Sequence, residues 1–290
     1  MIYRLVRRNL TVFFRDPTAV FFSLLSSLIL FVLFIAFLGN LQTQALHSRL
    51  PGASDAAVDA FVHSWVLASV VMIATMTTSL SALVVFVNDR VTDAFRDFLV
   101  TPATRFQMIS GYLLSSFVVS VVLSTAVLAF SQLFLAVVDQ AALQPTRLLA
   151  VFGSVVGFCL LFASVWSFVV TFVRSNAVFM SLGTIVGTAG GFLAGAYITV
   201  GALPAGVVTF MNLLPLNPGA TLVRQSFTGS TLDELVGDNE IAAAVVREEY
   251  GLNLTLGSTP VDAWVLWVVV ALLFAGFLVV GARRIGRRLG

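Results

Sequence analysis

The chain has 290 residues, of which 59% are hydrophobic and only 10% charged, with a formal net charge of +2 and a mean hydropathy of +1.01. A soluble domain carries about a quarter charged residues, so this composition excludes a water-soluble enzyme and describes a protein that crosses a membrane several times. The single cysteine, Cys159, excludes an internal disulfide and a thiolate metal site.

Residues 1–16 form the first predicted element. Ile2, Val6, Leu10 and Phe13 share one helical face and Arg4, Arg7, Arg8 and Arg15 the opposite one, the pattern of an amphipathic helix lying on a membrane surface. Asp16-Pro17 follows as a cap and a first-turn proline, so a new helix begins there and the chain bends from lying flat to spanning. No small-residue cleavage site precedes Asn40, and the first span is expected to stay in the mature protein.

Crossing about 30 Å of hydrocarbon takes roughly 20 helical residues. Six apolar runs meet that length: 20–38, 65–87, 109–138, 148–173, 177–200 and 263–281. An even count puts both termini on one side. With that side cytoplasmic, Arg4, Arg7, Arg8, Arg15, Arg90, Arg96, Arg105, Arg174, Arg283, Arg284, Arg287 and Arg288 fall inside. Arg49, Arg147, Arg224 and Arg247 fall outside, so 12 of the 16 basic residues obey the positive-inside rule. Trp65, Trp264 and Trp267 then sit at the outer headgroups, and the Arg283–Arg288 cluster meets anionic lipid on the inner face.

Between the spans, residues 39–64 read as a modest polar loop and 139–147 as a short one. In the fifth span, Gly187, Gly191 and Gly195 recur every four residues and allow close helix approach. Residues 201–262 read in two parts. Pro204, Pro215 and Pro218 break an apolar stretch into a re-entrant or interfacial helix pair. Thr231-Leu-Asp-Glu then reads as a capping box opening an acidic helix, and the irregular spacing of its carboxylates, from Asp233 to Glu249, fits a solvated surface rather than a cation site.

The chemistry that is absent narrows the function. All 16 basic residues are arginine, so no Walker A lysine exists and no nucleotide or metal cofactor is expected on this chain. No titratable side chain lies near the middle of a span, where ion-coupled carriers need one. A passive pore, a scaffold subunit, or a transporter driven by a partner remains.

The charged interruption between the second and third spans bears on that choice. Within residues 89–101, Val91, Ala94, Phe95, Phe98 and Leu99 fall on one helical face while Asp89, Arg90, Asp93, Arg96 and Asp97 occupy the other, and Pro102 stops the helix. A charged helix held at both ends by spans is a lever for a soluble partner. The segment DRVTDAFRDFLVTPATR resembles the one after the second span of ABC-2 type permeases, membrane subunits of ATP-binding-cassette exporters, which commonly read E-R-x-x-G-T-x-x-x-L-x-x-[ST]-P. Asp89-Arg90 matches the acid-arginine pair and Thr101-Pro102 the closing dipeptide; Asp93-Ala94 and Phe98 depart from the pattern. The opening RNLTVFFRDP and the external LPLNPGATLVRQ, with Pro215, Asn217, Pro218 and Arg224, are similar to the same family.

The resemblance implies an all-α polytopic membrane protein with six transmembrane helices, an N-terminal interfacial helix, a cytoplasmic coupling helix and re-entrant external helices between spans five and six, all in one permease domain. It implies two copies of the chain, a homodimer, working with two ATPase subunits that bind ATP and Mg²⁺. Asp89, Arg90, Asp93, Arg96, Asp97, Phe98, Arg4 and Arg8 are the candidate ATPase contacts. Spans one, two and five would face the dimer centre, nominating Phe21, Phe22, Phe31, Trp65, Met72, Met76, Thr77, Thr78, Phe179, Thr184 and Thr188 for the substrate pathway. Flexible methionine and aromatic faces suit drug-like, lipophilic or lipid-linked cargo leaving the cell. A polysaccharide or teichoic-acid exporter is the alternative within the class, and a passive channel or scaffold the alternative outside it; no nucleic acid is involved. Arginine without lysine, beside abundant Ala, Val and Gly, points to a GC-rich prokaryotic genome and a cell membrane location.

Overall fold

The computed structural model describes residues 2–92 and 105–288. Its helices are α1 (Ile2–Phe14), α2 (Pro17–Leu33), α3 (Gly39–Arg49), α4 (Asp55–Ser81), α5 (Val84–Val91), α6 (Arg105–Phe134), α7 (Pro145–Val169), α8 (Asn176–Leu193), α9 (Ala205–Leu213), α10 (Leu216–Val236), α11 (Glu240–Glu249) and α12 (Ala263–Arg288). A two-residue hairpin, β1 (Thr255–Leu256) with β2 (Thr259–Pro260), precedes α12. The protein is an all-α polytopic membrane protein. Six helical stretches are long and apolar enough to cross a membrane: Pro17–Arg49, Asp55–Val91, Gln107–Asp139, Pro145–Phe172, Asn176–Leu193 and Ala263–Val280.

Asp16 accepts hydrogen bonds from the Thr18 and Ala19 amides, and Pro17 occupies the first turn of α2, so two otherwise orphaned donors are satisfied where the chain turns from α1. The expected loop over 39–64 is largely helix instead. A π-helical turn, Phe34–Leu38, carries α2 directly into α3, and α4 begins at Asp55 behind the Ser54 cap. The polar composition of α3 hid it, because its helical face packs on α4 rather than on lipid.

Helix α4 is the centre of the molecule. Every residue from Ser64 to Leu80 is buried, because α2, α6, α7, α8 and α10 surround it. Lipid tails are as apolar as leucine, so such packing depends on small residues and interhelical hydrogen bonds. Ser116, Ser120 and Ser124 of α6 recur every four residues and face α4: Ser79 Oγ donates to Ser120 Oγ (2.7 Å), and Ser116 Oγ donates to the Ser79 carbonyl (2.7 Å). Replacing Ser79 by alanine leaves the helices in place and removes one such bond. The expected loss is about 0.6–1 kcal/mol, or roughly 1–3 °C in a thermal melt in detergent.

The proline-broken stretch folds as expected for a bent pair. Helix α9 starts behind Pro204 and ends at Leu213, Pro215 opens α10, and the two axes meet at 92°. Beyond that point the sequence misleads. Thr231 is no cap: it lies buried inside α10, its hydroxyl donating to the Thr228 carbonyl, and the acidic helix α11 starts later, with Asn239 as its cap. Local capping chemistry lost to the packing of Phe227, Leu232 and Leu235, which continue the buried face of α10.

Trp65 also departs from expectation. It is fully buried, its indole N–H donating to the Tyr250 carbonyl at 2.9 Å, whereas Trp264 is exposed. The glycines of α8 serve three different contacts: Gly187 lies against Ser26 of α2, Gly191 lies under the ring of Tyr197, and Gly195 ends the helix with φ +60°. There the Gly195 amide donates to the Phe192 carbonyl and the Ala196 amide to the Gly191 carbonyl, the paired bonds of a glycine-terminated helix.

Candidate functional site

Two features gather the candidate residues: a polar junction where α1, α5, α6 and the end of α7 meet, and a cleft between α2, α4 and α8. The junction is built on Asp89, near the end of α5 and just before the charged segment. Its carboxylate receives both Arg8 guanidinium nitrogens at 2.6 and 2.7 Å and the Tyr112 hydroxyl of α6 at 2.6 Å. Bidentate charge-assisted bonds of this length are among the stronger ones available to side chains. Asp89 raises the Arg8 guanidinium above its ordinary value, so Arg8 stays charged at any working pH.

Helix α1 is seated so that Arg8 reaches this point. Leu5, Asn9 and Phe13, one face at four-residue spacing, are its buried side chains, and the Asn9 amide donates to Ser115 Oγ of α6. Of the expected apolar face, Phe13 is buried while Ile2, Val6 and Leu10 are only half-buried, so α1 is turned toward Leu5 and Asn9 and Arg8 lies partly against protein. Arg4 remains exposed. Arg90 turns the opposite way and donates to the Thr171 and Val173 carbonyls at 3.0 Å each, capping the end of the fourth span with a cation where the helix dipole is negative. The acid-arginine pair thus joins α5 to α1 and α6 on one side and to the end of α7 on the other. Asp93, Arg96, Asp97 and Phe98 lie outside the described residues.

The cleft has a volume of about 500 Å³. Phe22, Ser26 and Ile29 of α2 form one wall, and Phe179, Met180, Thr184 and Thr188 of α8 form the other. Thr77, Leu80 and Ser81 of α4 form the floor, and Asp16, just before α2, also lines it. Of the residues nominated for a pathway, Phe22, Thr77, Phe179, Thr184 and Thr188 are brought together here. Phe21 is exposed beside Phe22, and Phe31 packs edge-on against Phe130 and Phe134 of α6. Trp65, Met72, Met76 and Thr78 are not on the cleft wall but in the packed core, because they face the elements packed around α4: Trp65 meets Tyr250, Met72 Gly219, Met76 Gly190 and Thr78 Ser124. Hydroxyl residues recur round this helix, at Ser69, Thr75, Thr77, Thr78, Ser79 and Ser81, so the sequence gave no sign of which side lay open.

Against known proteins, residues 2–228 match the family model described as ABC-2 type transporter. The chain belongs to the ABC-2 type transporter family. It is therefore the membrane permease part of an ABC transport system and a multi-pass membrane protein, a family that associates with an ABC ATPase subunit. No curated protein matches the sequence.

Within this transporter, sequence reasoning missed the role of Arg224. Placed on the outer side, in the proline-broken helix pair, it is fully buried in α10. Its guanidinium donates to Ser69 Oγ of α4 at 2.9–3.0 Å and to the Gly195 carbonyl at 2.8 Å, contacts the Ala194 carbonyl, and lies 5.4 Å from the centre of the Trp65 ring. No carboxylate pairs with it among the described residues. The terminal carbonyls of α8, the negative end of that helix, stand in for one. The signal in the sequence was an arginine four residues after Ala220 and three before Phe227, on the same helical face as both, where a buried apolar face would place it.

Proposed function

We propose that this chain is the transmembrane subunit of an exporter that moves a drug-like, lipophilic or lipid-linked molecule out of the cell, with two copies of it standing over two separate ATPase subunits. ATP and Mg²⁺ belong to those subunits. The end carrying α1, the α5 junction and both termini faces the cytoplasm, a reading supported by the distribution of the arginines.

The observation that carries the reading is the Asp89-Arg90 junction. An ATPase pressing on residues 93–104 pushes the segment that begins directly after α5. Asp89 passes that displacement to α1 and α6, and Arg90 passes it to the end of α7, because hydrogen-bonded charged pairs resist separation more than apolar contacts do. Helix α5 packs on α8, and α8 is one wall of the cleft, so a shift at the junction reaches the wall that would have to move. The cleft itself supports apolar cargo with a few hydrogen-bonding groups: its walls are Phe, Leu, Ile and Met with Thr and Ser hydroxyls between them.

The test uses vesicles containing this protein and its ATPase, with the lipophilic dye Hoechst 33342 as cargo. ATP-dependent dye movement is expected, and Thr184→Trp, which fills the cleft, is expected to lower it at least about tenfold while ATPase co-purification is unchanged, since the contact lies elsewhere. Dye movement of equal rate without nucleotide would remove the exporter reading.

A further inference from the structure

A second cavity lies beyond the cleft, and the two share one side chain. This recess, about 410 Å³, is lined by Leu38, Leu41, Gln42, Ile198, Thr199 and Glu249, and Tyr197 forms part of its wall. Tyr197 also lines the cleft between α2, α4 and α8. Its ring packs at a tilt of 58° against Phe192, with centroids 4.8 Å apart, and covers Gly191, where any Cβ would collide with it. The ring is held where it is because Gly191 has no side chain.

The segment carrying Tyr197 has no helical backbone and is tied at both ends by different means. On one side the Ala194 and Gly195 carbonyls are gripped by buried Arg224. On the other, Thr199 Oγ1 donates to Glu249 at 2.9 Å, and Glu249 receives Arg49 at 3.0 Å. The first tie is fully buried. The second is a surface ion pair in which Arg49 is half exposed, the kind that water competes with and that breaks readily. Gly195, at φ +60°, sits at the fixed end as a natural hinge.

We propose that Tyr197 is the partition between the intramembrane cleft and an outward recess, that the recess is a release site for the amphipathic molecule leaving the cleft, and that the Thr199–Glu249–Arg49 tie is the latch. The recess suits such a molecule, with Leu38, Leu41 and Ile198 for an apolar body and Gln42 and the ion pair for a polar end. The proposal rests on the exporter reading for its direction. Its test does not, since it needs neither cargo nor ATPase.

In a Cys159→Ala background, single cysteines are placed at Thr184, in the cleft, and at Gln42, in the recess. The impermeant cationic reagent MTSET is then added outside intact cells. Gln42→Cys is expected to react in all variants. Thr184→Cys is expected to be protected, to react about tenfold faster with Tyr197→Ala, and about two- to fivefold faster with Glu249→Gln, the range that loss of one half-exposed ion pair allows, because the rate follows the open fraction. Tyr197→Phe, which keeps the ring, is expected to stay protected. Should Tyr197→Ala fail to reach the membrane, Glu249→Gln and Tyr197→Phe still decide the matter. Equal labelling of Thr184→Cys with and without the Glu249 change, or no external labelling at Gln42→Cys, would overturn the proposal.

Discussion

Asp89→Asn is expected to reduce ATP-driven transport at least about tenfold while the protein still inserts, since a tenfold change corresponds to about 1.4 kcal/mol of lost coupling between sites. Asparagine keeps the shape of the carboxylate and retains one oxygen for the Tyr112 hydroxyl, but it cannot receive Arg8 as a charged pair. The structural loss is modest. Hydrogen bonds to charged groups contribute about 1.5–3 kcal/mol, and with Arg8 39% exposed the lower end applies. Folding therefore survives, and what is lost is the tie between α1 and α5. Arg8→Gln is expected to give the same loss, and the double variant no more than either single one, because both remove one interaction. Transport by Asp89→Asn at the unmodified rate, or losses that add in the double variant, would show that the junction transmits nothing.

The sequence made the architecture legible and the contacts much less so. Apolar run length located the six crossing helices because hydrocarbon thickness sets helix length directly, and prolines located the bent pair because each removes a backbone donor. Asp16-Pro17 was legible for the same local reason. Which face of each helix meets protein was not. The face of α1 was right at Phe13 but off by part of a turn elsewhere, because Arg8, a charge, turns toward another charge, and hydrophobic periodicity has no sign for that. The wall of the cleft was half legible: residues from α2 and α8 were found, while those from α4 were mostly at buried positions, since a helix packed on most of its sides shows no clear stripe. Thr231 shows the reverse error, a good local signal overridden by tertiary packing.

The same logic explains why the acid-arginine pair appears at the α5 end and a lone arginine at the end of α8. Arg90 and Arg224 both meet carbonyls at the terminus of a crossing helix, where the last turn has acceptors without intrahelical donors. One stands near the charged segment and the other beside the partition at Tyr197. In each case a neighbouring helix supplies the cap, so the end of a span is fixed relative to a second element instead of fraying.

Arg224 gives the larger stability prediction. Arg224→Met is expected to destabilise the protein by about 2–4 kcal/mol, less than the roughly 3–5 kcal/mol seen when one partner of a buried ion pair is removed. The reduction arises because methionine also removes the burden of a desolvated charge. What methionine cannot do is donate. The Ala194 and Gly195 carbonyls and Ser69 Oγ then lose their buried donor, at about 1–3 kcal/mol for each group left unsatisfied before the helix end relaxes. Arg224→Lys keeps the charge but lacks the planar fork that reaches α4 and α8 together, so an intermediate loss is expected. The buried thiol of Cys159 reports the outcome, because a maleimide dye reacts with it only on unfolding. For a chain of this size the melting midpoint should fall by roughly 5–12 °C for methionine and about half that for lysine. A methionine variant melting within about 2 °C of the unmodified protein would mean that the guanidinium is tolerated by the fold and does not hold the end of α8 in place.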